Sequence, residues 1–185
     1  MMSATHDFKM VIQHASLFVS KVKVAPSIMI GHETVLGNGA IKMPIRRTEV
    51  KSFALSSGMQ SITIPNAFIE QLPTRLIMGM VSNNAFNGDF PKNPFNFNHY
   101  DLTYLCVLER NRMIPSKPFQ PKFDGSNCYS RCYMSLFTDL GWYHGNLTID
   151  LKFSKALPET VNLIVFSEYQ NVIEIDKNRS IFTDY

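Results

Sequence analysis

Apolar and polar side chains alternate along much of the chain in runs of strand length, separated by clusters of Gly, Pro, Asn and Ser. The first run, Phe8–Val24, alternates well after Ala15: Leu17, Val19 and Lys21 share one face, and Phe18, Ser20, Val22 and Val24 the other. That period of two predicts a strand, long enough to bend or to cross between sheets. Pro26 then fits the first turn of a short helix, "PSIMIGHETVLGNG". Ile28, Val35 and Leu36 give this helix an apolar side, and Gly37-Asn38-Gly39 stops it.

Further on, "AIKMPIRRTEVKSFAL" predicts a strand broken or bulged at Pro44, followed by a turn at Ser56-Ser57-Gly58. "IPNAFIEQLP" reads as a short helical turn, and "TRLIMGMVSN" as a continuous apolar strand of the buried kind. Asn83–Asn98 is a long loop. "YDLTYLCVLERNRMIP" predicts a hairpin turning near Glu109–Asn111, and "SKPFQPKFDGSN" is extended loop. In "CYSRCYMSLFTDLG", Cys128, Cys132 and Leu136 fall four apart, which predicts a helix near Tyr129–Leu140 ended by Gly141. Three closing strands follow in "NLTIDLKFSKALP", "TVNLIVFSEYQ" and "NVIEI". Phe53, Ile77, Leu105, Phe153, Leu163 and Phe166 are the expected core residues. Short strands at close spacing with one or two short helices predict an all-β antiparallel fold, a sandwich or a jelly roll.

Composition sharpens this picture. At 185 residues, 45% hydrophobic and 18% charged, the chain fits one folded domain over residues 1–185, with 1–7 as a tail. The net charge is +3, and no basic block exceeds Arg46-Arg47, which excludes the dense basic face that phosphate binding needs. Three cysteines, Cys106, Cys128 and Cys132, with no C-x-x-C pair, speak against a disulfide framework. "MMSATHDFKM" lacks the features of a signal peptide, and no apolar run approaches membrane-spanning length. The expected setting is intracellular, not secreted.

Candidate chemistry is sparse. Nucleotide-binding, nucleophile-elbow and zincin motifs are absent. Cys128, Cys132, His99 and His144 could in principle hold zinc, but C-x3-C on a helix is a weak signal and favours packing of the thiols against the core. No metal or cofactor is expected. The stretch "NPFNFNHYD" (Asn93–Asp101) concentrates polar and aromatic residues. Its His99 and Asp101, two apart, would share a strand face with no nucleophile beside them. Asn side chains bond their own backbone two residues on, so the stretch reads as a self-bonded loop anchored by Phe95 and Phe97.

From Phe8 to Tyr185 several ordered phrases carry a resemblance: "KVKVAPSIMIGH", "MPIRR", "FNGDFPKNPFNFNHYDL", "PSKPFQPKF", "SRCYMSLF", "LKFSKALPETVNLIVFSEY" and "NVIEIDKNRSIFTDY". They resemble the C-terminal part of the major capsid (hexon) proteins of Maverick/Polinton elements and adintovirus-like viruses. The resemblance implies a single jelly roll, one half of a double jelly-roll capsid protein, whose partners are other capsid subunits in a trimeric capsomer and which carries no catalytic residues. It also implies residence in a virion if the protein is viral. Two departures stand out: the family's preceding jelly roll has no counterpart here, and only "TDLGWYH" joins "SLF" to "GNL", where relatives have a longer loop and a further strand. Two function classes follow: a capsid subunit or fragment acting through protein–protein contacts, or a host-recruited jelly-roll binding module for a glycan or protein.

Overall fold

The computed structural model describes residues 11–69, 71–110, 112–124, 128–138 and 146–183. They fall into two compact units, one of Arg46–Gln170 and one of 11–45 with 171–183. The elements in chain order are α1 (Pro26–Asn38), β1 (Ile41–Leu55), β2 (Ser61–Phe68), β3 (Arg75–Ser82) and α2 (Asn83–Phe86). They continue with β4 (Leu102–Glu109), β5 (Arg112–Phe119), α3 (Ser130–Thr138), β6 (Leu147–Phe153), β7 (Val161–Ile175) and β8 (Ile181–Thr183).

Alternation explains why the first unit closes. In β6, Leu147, Ile149, Leu151 and Phe153 point one way and are buried. In β7 the same holds for Val161, Leu163, Val165 and Tyr169. These side chains join Leu55, Phe68, Met80 and Val107 in one core cluster. Each fully buried side chain of this size contributes about 1.5–3 kcal/mol. Burying both inner faces requires two sheets, and their orders are β1-β7-β3, with β8 on β7, and β2-β6-β4-β5. The fold is an all-β sandwich of jelly-roll type, with antiparallel pairs such as Met80↔Leu163 and Val107↔Ile149. At the β1–β2 turn Gly58 takes φ +81, open to glycine without strain, and donates its N–H to Leu157 O at 2.8 Å.

Several polar groups entering this core are hydrogen-bonded. Ser167 Oγ donates to Glu49 O at 3.0 Å, and Tyr169 Oη donates to Glu49 Oε2 at 3.2 Å. The Arg47 guanidinium lies 4.4 Å from the Tyr169 ring centroid. At the other end of β7, Asn162 Nδ2 donates to Asn83 Oδ1 at 2.9 Å.

Several expectations need correction. Residues 11–25 form no strand, although their alternation predicts one; residues 8–10 lie outside the described residues. Pro44 does not break β1, which runs continuously; β1 ends its sheet's order, where a missing N–H is tolerated. "IPNAF" is not a helical turn but the end of β2, where Asn66 at φ 49 and a register shift between Ile64 and Phe68 absorb the proline. "SKPF" belongs to β5 rather than to a loop. "TVNLIVFSEYQ" and "NVIEI" are one strand, β7. The loop after Ser82 opens with α2. Ile77 and Phe166 do not face the core: they pair across strands on the opposite sheet face, while Leu76, Met78 and Val165 point inward. Of α1's expected apolar side only Leu36 is buried; Ile28 and Val35 are exposed. Gly141 lies outside the described residues.

Burial pushes the Tyr169 phenol above its ordinary value of 10.0, and Glu49 pushes the same way against Ser167 and Arg47. A raised folded-state value means that the unfolded chain releases this proton first. The contribution is therefore whole below the ordinary tyrosine value and is lost as pH rises through the folded value. Denaturant midpoints should hold up to about pH 9 and fall as pH rises through 10 and above, and Tyr169→Phe should flatten that fall while costing about 0.5–1.5 kcal/mol near neutrality. An unchanged slope in the variant would assign it to other groups.

Candidate functional site

The loop Asn93–Asp101 is held by its own side chains, as the run of asparagines predicts. Asn93 Oδ1 accepts the Phe95 N–H at 2.9 Å, and Asn98 Nδ2 donates to Asn96 O at 3.4 Å. His99 Nδ1 accepts the Asp101 N–H at 2.9 Å. In that state the ring proton sits on Nε2, so the 3.3 Å from Nδ1 to Asp101 Oδ1 is no hydrogen bond. The pair lies in a turn, not on a strand face as expected. Tyr100 and Asp101 both have left-handed backbone, φ 45 and 51. Tyr100 is held there through Oη, which donates to Glu159 Oε1 at 3.3 Å, while Glu159 Oε2 accepts from Ser82 Oγ at 2.9 Å.

The aromatic anchors divide. Phe95 is 79% exposed and anchors nothing, contrary to expectation. Phe97 lies across β3 at Gly79, where an added Cβ would stand 2.9 Å from the Phe97 ring. Beside it the Asn98 N–H donates to Met80 O at 2.9 Å, closing that part of the β3 edge.

Further down β3 lies a cavity of about 360 Å³ between β3, β4, β5 and α3. Leu76, Met78, Leu105 and Phe119 form its walls, and Cys132 and Leu136 of α3 flank it. At the start of β3, Arg75 Nη2 donates to Leu136 O, and Nη1 lies 4.0 Å from Glu168 Oε2. His99 stacks on Phe123 at 4.0 Å between centroids, so the loop also braces one wall. This is an apolar recess with a single guanidinium among its lining groups. It can receive apolar side chains or an apolar ligand; among the described residues no nucleophile stands there beside a base.

Of the four residues weighed for zinc, the three described ones do not form a ligand set. His99 is engaged with Phe123, Cys128 is exposed ahead of α3, Cys132 is half-buried, and His144 lies outside the described residues. Among the described residues no three His, Cys, Asp or Glu side chains gather as metal ligands. Cys128 does not pack against the core beside Cys132, as the helical spacing predicts, because α3 starts only at Ser130. The cavity was not foreseen. Its one trace in the sequence is a charge, Arg75, heading an otherwise apolar strand.

No protein-family profile matches the chain. Over 153 residues, 80% of its length, the chain is 29% identical to the uncharacterized protein F54H12.2 of Caenorhabditis elegans. The chain spans only 36% of the worm protein's length.

Two outcomes follow from this geometry. Gly79→Ala should drive the Phe97 ring off β3 and cost about 1–3 kcal/mol, read from denaturant unfolding; no loss would mean that the ring is not held there. Burial pushes the Cys106 and Cys132 thiols up. At neutral pH an alkylating reagent should therefore label Cys128 first, Cys132 more slowly and Cys106 only on unfolding, as followed by mass spectrometry. Native labelling of Cys106 at the rate of Cys128 would contradict the packing of β4.

Proposed function

We propose that the protein is a structural subunit of capsid type, working by association with copies of itself or with related rolls. The observation that carries this reading is a run of large apolar side chains left in solvent. Leu17 is 89% exposed, Phe18 94% and Val22 86%. Val11, Ile12 and Val19 are exposed too, as are Ile28, Met29, Ile30 and Val35 of α1. Apolar surface of this extent marks an interaction site, which this reading assigns to another protein chain. The jelly-roll architecture and the resemblance to double jelly-roll capsid proteins support the same reading. A jelly-roll binding module is the second reading, favoured by the cavity beside α3.

Light scattering and electron microscopy on the purified chain test the choice. The structural reading expects concentration-dependent association into mixed oligomers rather than a clean trimer, with order gained when a partner roll is supplied. A monodisperse monomer at micromolar concentrations would overturn it and favour the binding module.

A further inference from the structure

Two features of the chain each lack what the other has. Ala15–Val24 carries strand alternation but forms no strand, and its apolar side chains stand in solvent. β3 ends its sheet's order, so among the described residues no strand lies on its second side. Among the described residues, the element between β5 and β6 is the helix α3.

The other strands at sheet margins carry devices against adding a neighbour. β1 has Lys42, Pro44, Arg46, Arg47 and Lys51, β2 has Pro65 and a register shift, and β5 has Arg112, Pro115, Lys117 and Pro118. β8 is three residues long. Charges, prolines, irregular register and shortness all disfavour edge pairing. From Leu76 to Ser82, β3 has neither a charge nor a proline. It is also apolar on both faces, with Leu76 and Met78 inward and Ile77 outward. A strand beside it must be apolar on both faces. Leu17–Val19 of the arm meets that demand, with Leu17 and Val19 on one side and Phe18, followed by Val22, on the other; Lys21 and Lys23 continue the first side beyond it.

We infer that Ala15–Val24 of one copy adds as a strand to the Arg75–Met78 edge of β3 in a second copy, its inward side chains entering the cavity beside α3. The inference rests on the assembly reading above and names the segment that executes it. Met80 is excluded from the new ladder, since its carbonyl already accepts from Asn98. The incoming strand competes with α3 for Arg75–Met78. That helix is tied to β5 through Arg131, which donates to Lys117 O and Pro118 O, and it leaves Tyr133 60%, Met134 55% and Leu136 42% exposed. Main-chain hydrogen bonds along the edge and side chains in the cavity together make this the β-augmentation mode of recognition.

Complementation between two full-length variants tests it. An arm variant, Leu17→Lys with Phe18→Lys and Val22→Lys, changes only exposed side chains. An edge variant, Ile77→Lys, puts a charge on the outer face of β3. Each variant is first shown by circular dichroism and denaturant midpoint to be folded. In sedimentation each alone should associate at least about tenfold more weakly than the parent chain, while an equimolar mixture should form heterodimers, since one intact arm meets one intact edge. Amides of Leu76 and Met78 should gain hydrogen-exchange protection in those heterodimers. If the arm variant associates as the parent does, the strand addition is wrong and assembly by another surface stands. If the parent chain is monomeric throughout, the assembly reading fails with it. Protection of Leu76 and Met78 in a monomer would place the arm on its own edge and overturn exchange between copies.

Discussion

The inner faces of β6 and β7 must be buried together, and most of the first unit is arranged to let this happen. Leu147, Ile149, Leu151 and Phe153 on one strand, and Val161, Leu163, Val165 and Tyr169 on the other, are almost wholly removed from water. They sit in different sheets, so neither can be covered by its own neighbours alone. β2 and β4 flank β6, β1 and β3 flank β7, and their inward side chains complete the cluster. The strands β1 and β3 on β7, and β2 and β4 on β6, are thereby distant from them in sequence, and the connections between them become the loops that carry the less regular features of the molecule.

Those loops are tied back by a few polar contacts. Glu159 receives both Ser82 and Tyr100, joining the end of β3 to the left-handed turn that starts β4. Glu49 receives Ser167 and Tyr169 and brings the β1 backbone onto β7. Glu159 takes a donor on each carboxylate oxygen, while Glu49 takes Tyr169 on its carboxylate and Ser167 on its main-chain carbonyl, and such pairing offsets the cost of half-burying the charge. The consequence is that β3 has an upper end held by Phe97 and Asn98 and a lower end whose side away from β7, among the described residues, faces α3 and a cavity.

Residue patterns foretold the elements whose cues are local. Pro26 and Gly39 bracket α1, Gly58 turns β1 into β2, and the alternation of β6 and β7 gives their buried faces directly. Patterns misled where the outcome depends on a distant partner. Alternation in Ala15–Val24 describes a strand's two faces without supplying a sheet for them. β3 is apolar on both sides, so its period could not say whether Ile77 or Met78 faces inward; pairing with β7 decides it. Gln170 and Asn171 look like a break between two strands, yet β7 passes through them. The self-bonded character of Asn93–Asp101 was legible because an Asx bond spans only two residues. The cavity was not, because its walls come from β3, β4, β5 and α3, which are separated in sequence.

The bond from Asn98 N–H to Met80 O has a bearing on alignment. A sheet edge with no irregularity lets a neighbouring strand slide by two residues and still match every inward side chain to an inward pocket. β3, with Leu76, Met78 and Met80 on one face, is such a ruler with repeated marks. Asn98 occupies one mark permanently, and Phe97 lies over the glycine next to it. Anything laid along this strand meets a fixed end stop at Met80, and the stop converts a slippery edge into one with a single reading frame.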